Sequence, residues 1–198
     1  MRRKSLILFI LAFYTLSGFK SDDGSPDRGV FTGGFIDITV ESNINRVFFS
    51  YSLTGIGLYN DSDPETVNIT VPVKDFRCVN ETAFQDFLIL LKADKYPYLS
   101  ISIPQKSLTQ NPQKEYFTIQ SMVISIAGVS REYSINCRIE NIDSGKSFLA
   151  GTLNIRLTDL GIEPPVKYFG LVKIENEVIV KFGFSINDYR LVTNKQQL

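Results

Sequence analysis

The amino-acid sequence predicts an all-β domain, an antiparallel barrel or sandwich of about eight strands with one short helix. Three observations predict it: apolar and polar residues alternate through most of the chain, turn-forming clusters separate the alternating runs, and only one segment shows helical spacing instead. Taken in order, Ile36, Ile38 and Val40 alternate with Asp37, Thr39 and Glu41. Val67, Ile69, Val71 and Val73 alternate with Thr66, Asn68, Thr70 and Pro72, and Leu99, Ile101 and Ile103 with Ser100 and Ser102. Successive side chains of a strand point to opposite faces, so each run has one face to bury and one to wet. Between Phe117 and Ile126 the phase slips, from Phe117 and Ile119 to Met122, Ile124 and Ile126, as at a β-bulge. Tyr133, Ile135, Cys137 and Ile139 form the next run, Leu149, Leu153, Ile155 and Leu157 another, and Val178, Val180, Phe182, Phe184 and Ile186 the last. Turns fall at Asn60 to Pro64, Asn111-Pro112, Asp143 to Gly145 and Glu163 to Pro165. The exception is Phe84, Phe87, Leu88 and Leu91, which follow helical spacing behind a capping box of Thr82 and Gln85; Pro97 then returns the chain to strand.

The chain of 198 residues, 43% of them hydrophobic, has room for one domain. Arg2, Arg3 and Lys4, then an apolar stretch from Leu6 to Phe13, then Thr15, Ser17 and Gly18 have the three parts of a secretory signal, too short for a spanning helix. The expected organisation is a signal peptide over 1–18, a linker over 19–29, a domain over 30–188 and a tail over 189–198. Export to the periplasm or the extracellular space follows, without stable membrane insertion once the signal is removed.

Composition excludes several function classes. Lysine plus arginine (21) balances aspartate plus glutamate (21), which leaves no global field for nucleic acid. The chain has no histidine, which removes His-based triads, His metal sites and His acid–base chemistry. The remaining acid pairs, Asp22-Asp23 and Asp61 with Asp63, sit in linker and turn contexts, and Gly33-Gly34 precedes a strand rather than a phosphate-binding helix. We therefore expect no enzyme, no cofactor and no metal. Cys78 and Cys137 are the only cysteines. In an exported chain they are available for one disulfide or stand as two buried thiols.

Three short stretches carry a family resemblance. Lys95-Tyr96-Pro97 opens the strand after the helix, Gly128-Val129 with Ser130 and Arg131 joins two long strands, and Arg156, Asp159, Gly161 and Ile162 lie at a strand end, with Leu160 between them. In order and spacing these resemble the Lys-Tyr-Pro, Gly-Val and Arg-x-x-Asp-Phe-Gly-Ile elements of the YceI-like family. The resemblance covers roughly residues 31–187. It implies a lipocalin-like barrel and, since some members bind polyisoprenoid chains, a ligand such as an isoprenoid or other lipid. The chain departs from the family in lacking its early Asp-linked His-Ser pair and its Arg-Asp-x-His-Leu run.

With 15 Phe and 9 Tyr, inward aromatic side chains either fill the barrel or line a cavity. The family resemblance favours the cavity, with Ile36, Ile38, Phe49, Tyr51, Val71, Ile101, Phe182 and Phe184 as its lining and Phe84 and Phe87 contributed by the helix. The competing expectation is a structural or protein-interaction barrel with a filled core. Oligomeric state is not legible in the sequence.

Overall fold

The structure, a computed structural model, describes residues 29–53, 57–60, 63–109, 115–143 and 146–187. The expected signal peptide, the linker as far as residue 28 and the C-terminal tail lie outside the described residues. Strands β1 (Gly29–Ser42), β2 (Arg46–Leu53), β3 (Gly57–Asn60) and β4 (Asp63–Pro72) precede helix α1 (Glu81–Leu90). Then come β5 (Tyr98–Pro104), a short helix α2 (Gln105–Thr109), β6 (Tyr116–Ile126), β7 (Val129–Asp143), β8 (Lys146–Arg156), β9 (Val166–Lys167) and β10 (Val172–Asn187). The second helix goes beyond the expected single one; its five residues are too few to show a helical period.

All ladders are antiparallel. They run β1-β3-β4-β5-β6-β7-β8-β10, and β10 returns to pair with β1 from Phe31 to Ser42, so the sheet curls into a ring of eight strands. β2 pairs with β1 on the same edge as β3 but further along it, over Gly34 to Glu41. Beyond β3 the ring is therefore completed differently. Ser50 of β2 exchanges two backbone hydrogen bonds with Arg77, at 2.9 and 2.7 Å, and α1 packs over the gap.

The alternating runs turn their apolar faces inward. Val67, Ile69 and Val71 lie directly across from Ile103, Ile101 and Leu99, and all six are buried. The phase slip in β6 is a bulge between Ile119 and Met122, with Ser121 in a left-handed conformation (φ 57°). It keeps Ile119, Met122 and Ile124 all in the core.

The registers place the C-terminal ends of β1, β4, β6 and β8 and the N-terminal ends of β2, β5, β7 and β10 at one end of the barrel. Helix α1, which links β4 to β5, lies at that end too. So do the three family-like stretches. Ala127 and Gly128 (φ 51° and 81°) form the two-residue turn between β6 and β7, with the mirror-image geometry that suits the twist of a hairpin. A Cβ on Gly128 would stand 2.5 Å from the Tyr96 ring, so Lys95-Tyr96-Pro97 packs on Gly128-Val129. After β8 a 3-10 turn, Leu157–Leu160, is closed by Gly161 in the left-handed region (φ 67°), where Cγ2 of Val129 lies 3.9 Å from a Cβ built on that glycine. Leu157, Leu160 and Ile162 are buried beneath it. The corner is tied by Asn176, which accepts from the Thr158 backbone N–H (3.1 Å) and donates to its hydroxyl (3.0 Å). Arg156 and Asp159 are exposed on its surface.

Candidate functional site

Helix α1 begins at Asn80, whose side-chain oxygen accepts from the Ala83 N–H at 3.0 Å. The cap is thus Asn80 rather than Thr82, and Gln85 donates instead to Glu81 at 2.9 Å. From this start the helix directs Phe87 downward, where its ring stacks on Phe49 of β2 (4.4 Å between centroids, 20°) and meets Phe76 edge-on (5.5 Å). Phe76 in turn packs on Tyr51 (5.5 Å). This aromatic cluster covers the gap beside β2. Burial raises the Tyr51 phenol above its ordinary pKa, with the Asp75 carboxylate adding to the effect.

Beside the cluster, between α1 and the rim of the barrel, lies an open pocket of about 300 Å³. Ala83, Phe87 and Leu90 form its helix side, with Val40, Phe49 and Ile174 among the barrel residues opposite. Its polar groups come from the helix and from the rim opposite. Asn45 and Asn80 contribute amides, and Asp86 of α1 forms a partly buried ion pair with Lys167 of β9, which ties the helix to the rim. Charge at the pocket is therefore internally balanced.

The described residues pack the barrel interior closely. A void of about 20 Å³, close to the space of a single water, lies among Ile36, Ile101, Met122, Leu153, Val180 and Phe184. Phe182 and Phe184 account for much of the filling: their rings stack at 5.3 Å, and Phe182 lies so close over Gly151 that a Cβ there would be 2.5 Å from its Cζ. The glycine lets the ring lie flat across the core.

The ten residues expected to line a cavity thus divide. Phe49 and Phe87 line the open pocket, while Ile36, Ile101, Phe182 and Phe184 surround the small interior void. Val71 is fully buried in the core, Ile38 and Phe84 are partly buried against it, and Tyr51 belongs to the aromatic cluster. Sequence reasoning missed Ile44, Asn45, Lys167, Tyr168 and Ile174, all of which line the pocket. Alternation of Val172 and Ile174 with Lys173 was a usable signal for the start of β10; the others come from turns or from the two-residue β9, where no period marks them.

Cys78 and Cys137 are both free, Cys78 partly buried and Cys137 buried. Cys137 points into the core, and burial pushes its thiol up to about 12. Tyr133 is the one buried side-chain polar atom without a hydrogen-bond partner among the described residues. Burial first, and the Asp159 carboxylate second, raise its phenol pKa against a smaller opposing effect of Arg131. Among the described residues no group of three or more His, Cys, Asp or Glu is placed to hold a metal, and no helix is long and apolar enough to cross a membrane.

No protein-family model and no curated protein matches the sequence. Solved structures do match the fold. A polyisoprenoid-binding domain from Saccharophagus degradans implicated in plant cell wall breakdown is 11% identical, with 79% of this chain and 95% of that one covered at a TM-score of 0.62. BcnA of Burkholderia cenocepacia is 10% identical over 78% of this chain and 96% of its own, with a TM-score of 0.58. A cysteine mutant of a Campylobacter jejuni YceI protein, crystallised with a monobromobimane guest, is 16% identical over 94% and 98%, with a TM-score of 0.51. At these identities the likeness establishes architecture, and the architecture agrees with the three stretches gathered at one end of the barrel. The chain has a YceI-like fold, an antiparallel lipocalin-like β-barrel.

Proposed function

We propose that the protein binds a long apolar ligand, an isoprenoid or other lipid, at the helix-capped end of its barrel, and that it acts as an exported carrier or sequestering protein rather than as an enzyme. The observation that carries this reading is the open pocket of about 300 Å³ between α1 and the rim, apolar on the helix and barrel walls and edged by a few polar groups. That is the low end of the usual size of ligand pockets, and chain burial there gains about 0.8 kcal/mol per CH₂ removed from water. Asn45, Asn80 and the Asp86–Lys167 pair would meet the polar end of the ligand. One structural neighbour, the polyisoprenoid-binding domain from Saccharophagus degradans, supports the same class of ligand. Location in the periplasm or outside the cell rests on the N-terminal signal pattern.

A second reading, a barrel with a filled core and no ligand, is favoured by the interior void of only about 20 Å³. Solvent extraction of the purified protein followed by mass spectrometry separates the two. A co-purifying lipid, or saturable binding of a long-chain isoprenoid by the extracted protein, is expected; empty extracts together with no saturable binding would leave only the filled barrel.

A further inference from the structure

Next to the pocket the chain exposes a cluster of apolar side chains that nothing in the barrel uses. Across β9 and the β9–β10 connection Val166, Tyr168, Phe169 and Leu171 are 60%, 65%, 110% and 73% exposed, and Ile44 in the β1–β2 turn is 65% exposed. Asn43 joins the two turns into one surface. Its amide donates to the Leu171 carbonyl (3.0 Å) and accepts from the Lys173 N–H (2.8 Å), and its own backbone N–H donates to the Lys173 carbonyl (3.1 Å). Apolar residues exposed singly are ordinary, whereas clustered ones mark interaction sites.

The backbone of the tip holds these side chains outward. Tyr168, Phe169 and Gly170 have φ values of 51°, 56° and 95°, three left-handed residues in succession. Two of them carry aromatic rings, for which that conformation is unfavourable, and strain of this kind persists where the surroundings or a function require it. The Phe169 ring gains no packing in return, being fully exposed. Nothing among the described residues covers it.

We propose that this tip is a bilayer anchor: Phe169 and Leu171, flanked by Tyr168 and Ile44, dip into the surface of a lipid membrane and set the open end of the pocket against it. One feature chooses a bilayer over a protein partner: the exposed apolar surface is continuous with the pocket, since Tyr168 and Ile44 belong to both. A membrane is the one partner that covers the tip and also holds apolar chains in front of the pocket, the part of the inference that rests on the proposed function. Charge around the tip is mixed: Lys173 is exposed, Lys167 is paired with Asp86, and Glu163 and Glu175 are exposed nearby. Docking therefore rests on apolar contact, is reversible, and changes little with salt or with anionic lipid.

The test is co-sedimentation of the mature protein with vesicles of phosphatidylcholine, with and without phosphatidylglycerol, comparing wild type with Phe169→Asn/Leu171→Asn. Asparagine accepts the left-handed region more readily than phenylalanine, so the variant is expected to keep its melting temperature. Its vesicle partitioning should fall by at least about tenfold, the scale expected for withdrawing two large apolar side chains. Isoprenoid titration in vesicle-free solution should be unchanged. Absence of wild-type binding to both vesicle types, or equal binding by the variant, overturns the anchor, as does self-association of the wild type that the variant abolishes. Vesicle binding lost in the variant while neither protein binds isoprenoid leaves the anchor standing and removes the ligand.

Discussion

Replacing Phe87 by alanine tests the helix as part of the barrel. The ring is 7% exposed and touches two other rings, stacked on Phe49 at 4.4 Å and edge-on to Phe76 at 5.5 Å. Truncating a core phenylalanine costs about 3–5 kcal/mol, of which a well-placed aromatic pair supplies about 0.5–1.5 kcal/mol beyond area burial. Phe87 also lines the open pocket, so the space it vacates merges with a space already there, and the cost should fall near 3 kcal/mol, the lower end. For a domain of this size that lowers the melting temperature by roughly 6–12 °C. Circular dichroism during thermal and urea unfolding measures it, with Ile89→Ala as a control. Ile89 is on the same helix but 75% exposed, and its loss should stay within about 0.5 kcal/mol. Reductant should change neither midpoint, because both cysteines are free. A loss under about 1 kcal/mol for Phe87→Ala would refute the packing argument and make α1 a loosely held cover.

Gly128→Ala should cost about 1–2 kcal/mol, because a side chain enters a left-handed residue and meets the Tyr96 ring; urea unfolding of Gly128→Ala with and without Tyr96→Ala separates the two causes. Tyr133→Phe should be neutral or slightly stabilising, since it deletes a buried hydroxyl that lacks a hydrogen-bond partner among the described residues, and a loss above about 1 kcal/mol would show that the hydroxyl is satisfied. A thiol reagent at pH 8 should label Cys78 in the folded protein and both cysteines after denaturation, because Cys137 is buried with its pKa pushed up to about 12. That shift also has a sign: the folded state holds the proton more tightly than the unfolded one, so its contribution is full below the ordinary thiol value of 9.0 and fades as pH rises toward 12. Cys137→Val should flatten this alkaline decline, and an unchanged slope would contradict the assignment.

The parts of this fold that were legible are those with a period. The alternation at Val67 to Val71 and Leu99 to Ile103 determined which side chains face the core, and the slip after Ile119 located a bulge, because a strand can change phase in no other cheap way. The helix was legible from Phe84, Phe87, Leu88 and Leu91, but its cap lies two residues before the expected one. Asn80 and Thr82 are both good caps, and apolar spacing does not choose between them. Helix α2, strand β9 and the left-handed Tyr168-Phe169 pair carried no signal, being too short for a period or made of residues that seldom adopt such backbone. The candidate site was the hardest part to read. That Phe182 fills the barrel while Phe87 borders an open pocket depends on Gly151 lying opposite Phe182 across β8 and β10, which is a fact of register.

The claim that the helix-capped pocket receives an apolar chain is tested most directly by filling it. Ala83 lines the pocket from α1 and is only partly buried, so Ala83→Trp places an indole in that space. The measurement is the equilibrium affinity of extracted, ligand-free protein for a long-chain isoprenoid, wild type against Ala83→Trp, with matched melting temperatures. Saturable binding by the wild type is expected, with affinity at least about tenfold weaker in the variant, a difference of about 1.4 kcal/mol. Equal affinities in two equally stable proteins would place the ligand elsewhere and contradict the account.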